Sequence, residues 1–140
     1  MVEPIVNNER KEVGYSSHAH QAYQILRFAF TIAPILAGLD KFFYFLTNWA
    51  QYLSEPFNVF GNVRTTMMVV GVIEIIAGIL VWIKPKIFAY IVALWLLAII
   101  INLLILGEFF DIALRDLGLL LSALALARLS VIYDGCCKRR

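Results

Sequence analysis

Four long apolar runs, separated by short polar breaks, dominate this chain. They cover about residues 25–46 (ILRFAFTIAPILAGLDKFFYFL), 65–83 (TTMMVVGVIEIIAGILVWI), 87–106 (IFAYIVALWLLAIIINLLIL) and 111–133 (DIALRDLGLLLSALALARLSVIY). Each is close to the ~20 residues a helix needs to cross a ~30 Å hydrocarbon core. Barrel strands are excluded, because they alternate in polarity and need only about ten residues. Helices satisfy their own backbone groups in lipid. The pattern predicts an all-α membrane protein: a four-transmembrane-helix antiparallel bundle over residues 25–133, with a polar N-terminal segment at 1–24 and a basic tail at 134–140.

The breaks refine the picture. Lys84-Pro85-Lys86 is short enough to make the second and third spans a tight antiparallel hairpin, and Gly107-Glu108-Phe109-Phe110 is a similarly short link to the fourth. The stretch TNWAQYLSEPFNVFGNVR between the first two spans is longer, and its Trp49, Tyr52, Phe57 and Phe60 suit an interfacial segment at headgroup level. Pro34 falls inside the first run, where its missing N–H should kink the helix.

Composition agrees with a membrane setting. The chain is 61% hydrophobic and 16% charged, against the 45–50% apolar content usual in soluble domains. Its net charge of +2 is spread over the ends and breaks, with no basic patch of interleaved aromatics, so no nucleic-acid partner is expected. The first 24 residues contain no apolar signal core, and the first helix is expected to serve as the insertion signal. Arg10, Lys11, Arg27, Lys84, Lys86, Arg128, Lys138, Arg139 and Arg140 lie toward one side; Lys41, Arg64 and Arg115 lie toward the other. The positive-inside rule then puts both termini in the cytoplasm, with Arg27 and Arg128 snorkelling to that face. The adjacent Cys136 and Cys137 read as two free thiols, since neighbouring cysteines rarely meet disulfide geometry.

Well inside the spans lie Asp40 and Lys41, Glu74, Asn102, and Arg115 and Asp116. An ionised side chain near the bilayer centre costs roughly 2.5–3.5 kcal/mol on insertion scales, so these residues are candidates for pairing or for use. At ~1.5 Å per residue, Glu74 lies ~14 Å from the outer side, and Asp40, Asn102, Arg115 and Asp116 lie ~6–9 Å from it. Helical spacing aligns Gly71, Glu74 and Gly78 on one face; Arg115, Gly118, Ser122 and Ala125 on another; Ala33, Ala37 and Asp40 on a third; and Ala98 with Asn102 on the last. Small residues mark the faces where membrane helices pack closely, so all four stripes are expected to look inward. The expected network has Arg115 bridging Asp40 or Glu74, with Asp116 and Lys41 closing it nearer the interface and Asn102 bonding between helices.

Three segments then stand out together: Ile35-Leu36-Ala37-Gly38-Leu39-Asp40-Lys41-Phe42, Gly71-Val72-Ile73-Glu74-Ile75-Ile76-Ala77-Gly78 and Asp111-Ile112-Ala113-Leu114-Arg115-Asp116. The chain resembles the DoxX-like family of small four-helix integral membrane proteins over about residues 25–129. The resemblance implies a bundle in a prokaryotic cytoplasmic membrane, associated in some relatives with thiosulfate:quinone oxidoreduction and sulfur stress.

Three functions remain open on these residues. One is a component of a membrane redox assembly, with a quinone or another lipophilic molecule at the acid and arginine cluster. A second is a non-catalytic accessory subunit of a larger membrane complex, the cluster serving stability alone. The third is a small transporter. Membrane lipids and other membrane subunits are the expected partners. His18 and His20, outside the spans and one residue apart, do not make a metal or haem site, so neither cofactor is expected.

Overall fold

Capping residues set the helix ends more sharply than hydropathy does. The computed structural model describes residues 3–136, with side chains described for residues 16–134. Its four helices are α1 (Glu3–Phe43), α2 (Val63–Ile83), α3 (Pro85–Leu106) and α4 (Phe110–Cys136), with two short 3₁₀ turns, Trp49–Tyr52 and Glu55–Phe57, between α1 and α2. There is no strand among the described residues. Every helix contains a stretch long and apolar enough to cross a membrane, Ser16–Phe43 in the case of α1. The fold is a four-helix membrane bundle. Cys137 and the basic residues 138–140 lie outside the described residues, as do the side chains of Arg10, Lys11 and Cys136.

From Glu3 onward the polar residues are helical and continue into the first span: α1 runs unbroken for 41 residues, about 60 Å and twice the hydrocarbon thickness. Pro4 lies in its first turn, where a missing N–H costs nothing, and the next proline is Pro34. The helix continues through Pro34, which leaves the Phe30 carbonyl without its in-helix donor. It stops at Phe43, three residues before the apolar run ends, because Tyr44 turns left-handed at φ 55°. Asn62 caps α2 through its side chain, accepting the Arg64 N–H at 3.0 Å. Pro85 opens α3, and Gly107, at φ 74°, closes it by donating to the carbonyls of Leu103 and Leu104.

One residue, Lys84, separates α2 from α3. The turn is tight, but the hairpin it joins is not the closely packed pair: α2 packs chiefly on α1, and α3 on α4, while α2–α3 and α1–α4 touch more sparsely. The reason lies in the seams. A Cβ on Gly38 would stand 2.5 Å from the Gly71 carbonyl, one on Gly71 would stand 2.6 Å from the Gly38 carbonyl, and one on Gly78 would stand 2.6 Å from the Thr31 carbonyl. Only glycine permits that approach. On the other side, Ala89, Val92, Ala93 and Leu96 of α3 pack with Ala123, Leu126 and Ala127 of α4 in one apolar cluster that Tyr23, Phe30 and Val81 complete. Large apolar side chains such as Ile76, Leu94 and Leu121 point outward, as lipid contact requires.

Candidate functional site

The polar residues within the spans gather at the end of the bundle that carries the α1–α2 loop. Asp40 occupies the last turn of α1. Its Oδ1 accepts the backbone N–H groups of Phe45 at 2.9 Å and Leu46 at 3.0 Å, and its Oδ2 accepts the indole N–H of Trp49 at 2.7 Å. A carboxylate at a helix C-terminus faces the unfavourable end of the dipole. Three donors from the following loop offset that cost and fold the loop back over the helix end.

Lys41, one residue on and ~100° round the helix, turns to α2. Its Nζ lies 2.6 Å from Glu74 Oε2, with side-chain exposures of only 5% and 11%. The ring of Trp49 covers the ammonium, Nζ standing 3.7 Å from its centroid. Trp49 therefore holds Asp40 through its N–H and Lys41 through its face. The glycine seam makes the ion pair reachable, because Gly71 lies one turn from Glu74 and against Gly38, one turn from Lys41.

Asp116 enters from α4. It is buried. Arg115 Nη2 lies 3.1 Å from Asp116 Oδ1, and the Arg115 side chain is 65% exposed against 6% for Asp116. From α3, Trp95 approaches the same carboxylate of Glu74, although its Nε1 is buried and has no partner at hydrogen-bonding distance. Asn102 does not bond between helices. Its Oδ1 accepts the N–H and Oγ–H of Ser54 at 3.0 and 2.8 Å, and its Nδ2 donates to the Tyr52 carbonyl at 2.5 Å, which ties the loop down onto α3.

The structure thus brings Asp40, Lys41, Glu74, Asn102 and Asp116 to one end of the bundle and corrects the expected wiring. Lys41, not Arg115, bridges to Glu74, and Arg115 reaches neither Glu74 nor Asp40. Adjacent residues point ~100° apart on a helix, so Arg115 and Asp116 could not both look inward. The fourth span carries two small-residue stripes. The one with Ala113, Ala123, Ala127 and Ser130 faces the core and takes Asp116 with it; the one with Gly118 and Ala125 faces out, and a Cβ on Gly118 would meet nothing within 4 Å. Span one is corrected in the same way: Gly38 is buried at the seam, whereas Ala33 is exposed. Gly71, Glu74 and Gly78 are buried together on the face of α2 where spacing places them.

Two residues at the site carry no mark of it in the sequence: Trp49 stands among loop aromatics that suit the interface, and Trp95 has no polar neighbour in the chain. At the opposite end, Tyr23 donates to Asp134 Oδ1 at 2.8 Å, and the Tyr23 and Tyr133 rings stack with centroids 5.4 Å apart. Arg27 does not simply snorkel. Its Nη2 donates to the Trp82 carbonyl, satisfying one of the open acceptors at the end of α2, and its guanidinium lies 4.8 Å from the Trp82 ring centroid. Among the described residues, no three His, Cys, Asp or Glu side chains converge to hold a metal ion. Searches of protein-family models, curated proteins and solved structures returned no match to this chain.

Proposed function

We propose that this chain is a non-catalytic accessory subunit of a larger membrane-protein assembly, built on a DoxX-like bundle and lying in a cytoplasmic membrane with both termini on the cytoplasmic side. The outward face of α4 carries the reading. Arg115, Gly118 and Ala125 are exposed along it, and Ser122 returns its hydroxyl to the Gly118 carbonyl of its own helix at 2.8 Å. Small residues in lipid favour close approach of another helix, and among the described residues no helix covers Gly118 on that face. The polar groups on the inside, by contrast, are largely engaged within the chain: Lys41 with Glu74, Asp40 with the loop, Asn102 with Ser54 and Tyr52. The motifs behind the DoxX-like resemblance support the family reading, since their Gly38, Lys41, Gly71, Glu74 and Gly78 all lie on the faces that α1 and α2 turn to each other.

In native membranes extracted with mild detergent, the chain should run in a complex larger than the bundle alone. Gly118→Leu should release it while helix content and unfolding of the bundle stay unchanged. A wild-type chain that runs and cross-links as a lone bundle overturns the reading.

One observation favours a second reading, a membrane redox component that binds a quinone or a similar lipophilic molecule. The N–H of Trp95 is buried beside the Glu74 carboxylate without a closed hydrogen bond to it, and a quinone carbonyl is an acceptor of suitable polarity. Purified protein should then carry stoichiometric quinone, lost on Trp95→Phe; extracts free of quinone sink this second reading.

A further inference from the structure

The lipid-facing side of the α1–α2 seam carries a groove of about 320 Å³ lined by Phe28, Thr31, Ile32, Ile35, Ile79 and Trp82. Its floor follows from Gly78. That residue brings the two backbones together at the Thr31 carbonyl, with the Ile35 side chain lying against it. Phe28 and Ile32 of α1 and Ile79 and Trp82 of α2 stand as its walls, each between 38% and 59% exposed. From Phe28 to Ile35 the groove runs about 10 Å along the helix, roughly a third of the hydrocarbon core. Inside the groove the chemistry is apolar, because the Thr31 hydroxyl is turned to the Arg27 carbonyl at 2.8 Å.

The end of the groove nearest the α2–α3 turn is different. Arg27 lies over Trp82, its Nη2 donating to the Trp82 carbonyl and its Nε buried, so that its charge stands beside the groove wall. A guanidinium has five N–H donors in a fork that suits a phosphate. Lys84, two residues beyond Trp82, and Lys86 are both exposed at the same end. An apolar trough that opens beneath clustered cations has the polarity of a phospholipid: a tail along the trough, a phosphate at its mouth. A second protein helix would gain nothing from the cations. Basic sites at helix ends select anionic headgroups.

We infer that this groove binds an anionic phospholipid of the leaflet at the α2–α3 turn, one acyl chain lying between Phe28 and Ile79 and the phosphate held by Arg27 and Lys84. The site puts Trp82 in contact with the acyl chain, which makes binding visible in its fluorescence. The full chain is reconstituted in phosphatidylcholine vesicles containing a minor fraction of phosphatidylglycerol brominated in its acyl chains, or the same fraction of brominated phosphatidylcholine. A Trp82→Phe variant supplies the signal of Trp49 and Trp95 to be subtracted. Brominated phosphatidylglycerol should quench Trp82 at a mole fraction at least fivefold lower than brominated phosphatidylcholine does. Lys84→Gln, which leaves the capping bond of Arg27 intact, should lower that preference about fivefold, the weight of one cation near a charged surface. Equal quenching by the two lipids, or a preference unmoved by Lys84→Gln, overturns the inference.

Discussion

The α1–α2 and α3–α4 seams are the two well-packed surfaces of this bundle, and they are held by different means. Between α1 and α2 the backbones touch at Gly38, Gly71 and Gly78, and the Lys41–Glu74 ion pair closes the seam at the loop end. Between α3 and α4 the contact is made by side chains, with Ala89, Val92, Ala93 and Leu96 against Ala123, Leu126 and Ala127. The difference matters because lipid tails are as apolar as leucine, so burying leucine between membrane helices removes no apolar surface from water. The α3–α4 seam therefore rests on dispersion and shape, which tolerate adjustment. The α1–α2 seam rests on a distance set by absent side chains and on a charge that needs its partner. It should be the less forgiving of the two.

The largest effect that would expose this contrast comes from Gly71→Leu. A new side chain there meets the Gly38 carbonyl at less than contact distance, and backbone cannot move aside, so a loss above about 4 kcal/mol is expected. Denaturant unfolding in mixed micelles checks it, and a fully folded variant of normal stability would show that the glycine contact does not hold the pair. Lys41→Met comes next. It leaves Glu74 buried without its cation, at an expected cost of about 3–5 kcal/mol, and a Lys41→Met/Glu74→Met double variant should recover most of it. If the double variant is no better than the single one, the pair is not what couples the helices. Smallest is Leu126→Ala in the opposite seam. Leu126 is fully buried, yet in lipid the transfer part of the usual penalty vanishes and the cavity part remains, about 2 kcal/mol. A loss equal to that of Lys41→Met would erase the distinction between the seams.

The loop end and the turn end also differ in how they engage polar groups. At the loop end, Asp40, Asn102 and Trp49 tie an irregular segment to the helices, so the buried charges there shape backbone as well as join helices. At the turn end, Tyr23 with Asp134 and Arg27 with the Trp82 carbonyl join one helix directly to another. Irregular backbone close to lipid needs donors and acceptors from the protein, and the loop end supplies them from residues the sequence marks as intramembrane.

The sequence by itself determined the number of helices, their approximate limits and the depth at which polar residues gather, because hydropathy over some twenty residues answers to the thickness of a bilayer. It also oriented α2, where Gly71, Glu74 and Gly78 leave one face available for close packing. Tertiary structure alone decided which charge meets which. On α4 two small-residue stripes compete at similar spacing, and only the packed bundle shows that the stripe with Ala123 and Ala127 faces the core, turning Asp116 inward and Arg115 outward. Trp49 and Asn102 reach their partners through a loop whose path no periodicity encodes. Periodicity places side chains around one helix axis, whereas an ion pair depends on the rotation of two helices at once, and that rotation is settled by the contacts of the whole bundle.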